Sequence, residues 1–117
     1  MNRRVVLGLV RDLFFRSKLD AVAESAGVDF FYASDLDSAA KQCAEKHPSL
    51  IVVDLSDAVF PAAATAERLR ATVPDSRIIG FASHVDLKPL RAATEAGFAS
   101  ALSRSEFTAK LAELLKS

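Results

Sequence analysis

The sequence predicts an α/β fold, a (βα)5 architecture built on a parallel sheet, and three observations carry that expectation. Short apolar runs alternate with amphipathic segments five times along the chain, the pattern of a parallel sheet covered by helices rather than of a bundle or an all-β sandwich. The runs themselves read as strands buried on both faces, "LIVVD" at Leu50–Asp54 above all. Helix-stopping residues fall between them, at Gly27, Pro48, Pro74 and Gly97.

The strands are placed at Val5–Val10, Val28–Ala33, Leu50–Asp54, Arg77–Phe81 and, with a weaker pattern, Phe98–Leu102. Between the first two, Phe15, Leu19, Val22 and Ala26 recur at helical spacing, while Arg16, Lys18, Asp20 and Glu24 fall elsewhere and Gly27 sits where the helix stops. The second helix is expected over Leu36–Lys46. Ser34 or Asp35 caps it, and His47-Pro48 ends it because the residue before proline avoids helical angles. Cys43 on this helix reads as packing. Pro61 suits the first turn of the third helix, where a missing N–H costs nothing, and Val73-Pro74-Asp75 closes it. The Ala62–Ala64 run lets that helix come close to the sheet. Asp86 is read as the cap of the fourth helix, with Pro89 in its first turn and Gly97 at its end, and Ser105 as the cap of the last, which runs to Leu115. Residues 1–117 read as one domain without repeats or linkers.

Composition narrows the function. Half of the 117 residues are hydrophobic, enough for a core, and fifteen basic residues balance fifteen acidic ones. A chain with no net charge is not expected to bind nucleic acid or an anionic membrane. Cys43 is the single cysteine, which excludes an internal disulfide or a cysteine metal cluster and suits a cytoplasmic, reducing setting. The Arg3-Arg4-Val5-Val6-Leu7 start does not read as an export signal, because Arg11 and Asp12 end its apolar run within a few residues.

Asp54 closes a strand that otherwise excludes charge. In open α/β sheets ligands gather beyond the carboxyl ends of the strands, so this acid is a candidate site residue. The stretch "HPSLIVVD", with Pro48 six residues before Asp54, and the stretch "EAGFASALSR", with Gly97 and Arg104 at the matching separation, resemble the receiver (CheY-like) domain of two-component response regulators. The resemblance covers nearly the whole chain. It implies a flavodoxin-like three-layer sandwich with a sheet of order 2-1-3-4-5 and puts Asp54 at the phosphoacceptor position.

The same alignment shows what is missing from the pocket. The family holds a magnesium ion with two acids at the end of strand one, where this chain has Val10 and Arg11; Asp12 comes one residue late. The family's Ser/Thr after strand four falls on Ala82, with Ser83 beside it facing the other way. Its lysine becomes Arg104, the proline after it Ser105, and its switch aromatic Ala101. Three carboxylates and a lysine, a net of about −2, give way to a local sum of about zero to +1, so a hard cation finds too few oxygen ligands. Arg11 is expected to reach into the metal position and pair with Asp54, a guanidinium in place of magnesium.

Other candidates are weaker. Ser83, His84 and Asp86 share one short loop, which does not give the spatial arrangement of a hydrolytic triad. His47 and His84 each lack a spaced partner for zinc, and the four glycines form no phosphate-cradling loop. Leu13 and Phe14 start helix one beside the pocket as two large apolar groups that pack, seal the cavity or meet a partner. The resemblance nominates helix four, strand five and helix five as an output and homodimer face, through Leu87, Lys88, Arg91, Glu95, Ala101, Glu106 and Lys110; on the residues alone these are solvated positions.

The expectation is a non-enzymatic pseudo-receiver: a protein-interaction module of bacterial signalling that works without phosphorylation or a cofactor and meets a histidine kinase or an output protein. The alternative is a working single-domain response regulator phosphorylated on Asp54, with magnesium. A small-ligand binder that reuses the strand-end crevice is the third reading.

Overall fold

The computed structural model describes residues 3–83 and 87–116. Five strands and five helices alternate: β1 Val5–Leu9, α1 Leu13–Ala26, β2 Asp29–Tyr32, α2 Leu36–Lys46, β3 Leu50–Asp54, α3 Ala62–Thr72, β4 Arg77–Ala82, α4 Lys88–Glu95, β5 Ser100–Ser103 and α5 Arg104–Lys116. The strands are all parallel, in the order β2-β1-β3-β4-β5. β3 lies at the centre, with Gly8↔Val52 and Val52↔Ile79 in register across it.

Strand alternation divides the interior in two. Leu7, Leu9, Ile51 and Val53 face α2, α3 and α4, where Cys43, Leu69 and Ala93 complete a core. Val6, Leu50, Val52 and Ile79 face α1 and α5, and meet Phe15, Leu19 and Leu111. On that side Phe81 stacks on Phe107 with ring centroids 4.6 Å apart, and Phe15 lies 5.1 Å from Phe81. Each such aromatic pair is worth about 0.5–1.5 kcal/mol beyond the area it buries. Along the outer edge, β2 carries aromatics on both faces. Lys46 lies over the Phe31 ring at 4.2 Å, and the Arg16 guanidinium over Tyr32 at 4.7 Å.

Helix ends are set by particular side chains. Asp12 caps α1, accepting from the N–H groups of Phe14 and Phe15, and Gly27 ends it at φ 72°. Asp35 rather than Ser34 caps α2, accepting from Ser38, and His47 closes it in the left-handed region at φ 47°. Pro61 sits one residue outside α3, in the capping position, rather than within its first turn. α5 begins at Arg104, so Ser105 lies inside the helix. The cap is Ser103, whose Oγ accepts from the Glu106 N–H at 3.2 Å while the Glu106 carboxylate accepts from the Ser103 N–H at 3.3 Å. This reciprocal capping box satisfies two backbone donors at once, which Ser105 could not do.

β5 starts two residues later than the apolar run suggests. Phe98 belongs to the turn that closes α4: its N–H donates to the Ala93 carbonyl, and its ring is buried. Gly97, at φ 88°, makes that turn, and Arg70 of α3 clamps it by donating to the carbonyls of Ala96 at 2.8 Å and Gly97 at 2.6 Å. The expected Asp86 cap falls outside the described residues; Leu87 is the residue that precedes α4. Among the described residues no helix is long and apolar enough to cross a membrane.

Candidate functional site

At the carboxyl ends of β1, β3 and β5, three acids and two arginines meet. Asp54 is the last residue of β3, opposite Phe81 in register. Its carboxylate is half-buried, and its Oδ1 accepts from the Ser56 N–H at 3.0 Å. Burial pushes its pKa above the ordinary carboxylate value; the Ser56 bond and the charge of Arg104 pull the other way, while Asp57 and Asp12 add to the rise. Among the described residues Asp54 forms no ion pair.

Arg11 does not pair with Asp54. It grips Asp57 instead, Nε to Oδ2 at 2.6 Å and Nη2 to Oδ1 at 2.8 Å. The reason lies in the loop after β3, where Asp57 Oδ1 also accepts from the Val59 N–H at 3.1 Å, so the carboxylate is held still with both oxygens facing the guanidinium fork. A pair at the rim, with Arg11 half exposed, avoids the desolvation that sinking a guanidinium beside Asp54 would cost. The bond to Arg11 holds Asp57 below the ordinary carboxylate pKa, and the same bond raises that of Arg11.

Asp12 and Arg104 form a second pair, Nη2 to Oδ2 at 3.3 Å. The capping bond from Phe15 is the first cause of the lowered Asp12 pKa, with Arg104 contributing. The Arg104 guanidinium carbon also lies over the Phe15 ring, 4.2 Å from its centroid, so the charge is positioned by the ring as well as by Asp12. Val10 is wholly buried in the core, and its carbonyl accepts from Arg16 Nε at 2.6 Å. Ala82 is buried at the end of β4, and the N–H of the next residue, Ser83, donates to Ser56 Oγ at 3.1 Å. His84 and Asp86 lie outside the described residues.

The structure therefore gathers Arg11, Asp12, Asp54 and Arg104 at the strand ends, ties Ser83 to Ser56 beside them, and turns both Val10 and Ala82 into the core. Ser56 and the pairing of Asp57 are the parts the sequence reading missed. Their signal was the acid-turn spacing of Asp57 and Val59 in "LSDAVF", since an Asp accepting from a backbone N–H two residues on fixes a loop. Among the described residues no group of three His, Cys, Asp or Glu side chains could hold a metal ion.

The nominated interaction face is more polar. Leu87, Lys88, Arg91 and Glu95 are exposed along α4, and Lys110 is exposed on α5. Ala101 is half-buried and packs against the α2–α4 core, and Glu106 is engaged in the capping box. Leu13 and Phe14, in contrast, stand out at the start of α1, 71% and 87% exposed. Beside them a shallow trough of about 580 Å³ runs between α1 and α5, past Phe15, Lys18, Thr108 and Ala109.

No protein-family model matches the sequence, and no curated protein matches it. Solved structures do. A response regulator from Thermotoga maritima superposes with a TM-score of 0.82 over 98% of this chain and 96% of that one, at 16% identity. A putative response regulator from Chloroflexus aurantiacus gives 0.81 over 99% and 100%, at 18% identity. The receiver domain of a sensor histidine kinase from Pseudomonas aeruginosa gives 0.82 over 98% and 96%, at 16% identity, and that structure has a magnesium ion coordinated in its active-site cleft. With its strand order and these superpositions together, the chain has the fold of a response-regulator receiver domain.

Proposed function

We propose that the chain is a receiver-like module of two-component signalling that acts by protein contact rather than by phosphoryl transfer at Asp54. One observation carries this reading: the guanidinium of Arg11, at a position where the resemblance implies a metal-binding acid, is locked in a two-bond pair with Asp57. The other such position is Val10, folded into the core. A divalent cation drawn to Asp54 would find a carboxylate at neither of these two positions, and the nearby Asp57 already held by Arg11, so the residues present do not fit magnesium. Partners on this reading are a histidine kinase or an output protein, met through the surface rather than through the pocket.

The test is to add magnesium and beryllofluoride, which together mimic an acyl phosphate, while following the amide resonances of Asp54, Ser56 and Ser83. The expected result is no saturable change. Saturable, magnesium-dependent shifts at these amides would overturn the reading.

A second reading, a single-domain regulator phosphorylated on Asp54, is favoured by one feature: the Asp54 carboxylate is not consumed by an arginine and stands at the strand end. Incubation with a small phosphodonor followed by intact-mass measurement separates the two, because only this reading gains the mass of a phosphoryl group.

A further inference from the structure

The outer side of α1 is unlike the rest of the surface. Leu13 and Phe14 are two of only three large apolar side chains exposed among the described residues. Behind them along the same side run Ser17, Ala21 and Ser25, all exposed and four residues apart, so the helix presents a flat strip with an apolar knob at one end. At the other end is Gly27, where a side chain's first carbon would meet nothing within 4 Å. Knob and open turn lie at opposite ends of the helix.

Its charges have the same polarity. Lys18 is exposed in the first half of the helix and Glu24 in the last turn, with no acidic residue in the first turn and no basic residue in the last. Glu24 opposes the helix dipole at its end of α1, whereas Asp12 at the cap complements it. An antiparallel neighbour carrying the same sequence places each Lys18 beside the Glu24 end of the other helix.

We propose that the outer face of α1 is a self-association surface on which a second copy of this chain lays its own α1 in the antiparallel sense. Ala21 lies at the two-fold axis, Ser17 faces Ser25 of the other copy, and Phe14 rests over the other copy's open Gly27 turn. The strip is self-complementary in shape and in charge, as an isologous interface must be. It differs from the face of α4, β5 and α5 that the resemblance nominates, where Leu87 is the exposed large apolar residue. The pairing uses no atom of the Asp54 pocket. One helix face is smaller than the ~800 Å² per partner of a standard interface, so the association is weak.

Analytical ultracentrifugation of the full chain tests it, from about 10 μM to about 1 mM, at low and at high salt. The wild type is expected to sediment progressively faster with concentration, and less so in high salt. Ala21→Arg and Phe14→Lys, both at exposed helical positions that leave the fold intact by circular dichroism, are expected to remain monomeric. Leu87→Lys is expected to associate like the wild type. A wild type that stays monomeric throughout overturns the proposal and leaves the strip to a different protein or to water. Association that survives Ala21→Arg, or that Leu87→Lys abolishes, overturns it in favour of another face.

Discussion

The Arg11 guanidinium holds both oxygens of Asp57, three residues beyond the acid at the end of β3, and leaves Asp54 with a backbone N–H for company. The pocket is thereby divided into a rim where charges cancel in pairs and a half-buried carboxylate beneath it. Each part answers differently to mutation and to pH.

Asp57→Ala removes the Arg11 pair and the acceptor for the Val59 N–H together, and is expected to cost about 1–2 kcal/mol. Arg11→Ala leaves the Val59 bond in place and is expected to cost less. Urea denaturation of both variants checks the order; equal losses would mean that the loop bond contributes nothing.

Asp54 and Asp57 have opposite linkage to pH. The Asp54 pKa is raised by folding, so the native state holds its proton more tightly and this residue lowers stability as pH rises through its folded pKa. Asp54→Asn should therefore raise the melting temperature at neutral pH, with no gain below the unfolded carboxylate pKa of about 4. Asp57 and Asp12, whose pKa values are lowered, contribute stability that is present above that value and lost as pH falls. Melting curves from acid to neutral pH of the wild type and Asp54→Asn test the signs. A variant less stable than the wild type at neutral pH would refute the Asp54 assignment.

If contact rather than phosphorylation is the function, Asp54→Asn also leaves partner binding unchanged within about twofold, a difference of under half a kcal/mol. Titration calorimetry with a captured partner measures this, and a tenfold loss would point back to a working phosphoacceptor.

Ser103→Ala is expected to destabilise the protein by about 1 kcal/mol, because it breaks the capping box of α5, and Ser105→Ala by only a few tenths. Thermal unfolding of the two variants distinguishes the true cap from the neighbouring serine.

That serine shows where the sequence stops being legible. α2 and β3 fall where the pattern places them, since apolar periodicity and the His47-Pro48 stop are local signals that packing reinforces. The strand order followed from the resemblance, and the superpositions bear it out. Ser103 and Ser105 carry the same chemistry two residues apart; which one caps depends on where β5 ends and α5 begins, a boundary the weak apolar pattern of β5 does not mark. Likewise the charges of the pocket could be counted from the sequence, but not paired. Asp54 and Asp57 lie at similar distances from Arg11 along the chain, and only the burial of one and the loop bond of the other decide between them.

β2 is the outermost strand on its side, and its "DFFY" run is the kind of short aromatic segment that recruits identical edges from other molecules. The cations that Lys46 and Arg16 hold over Phe31 and Tyr32 act as gatekeepers against such recruitment. Removing them would be felt first as precipitation in concentrated solution, before any change in folding.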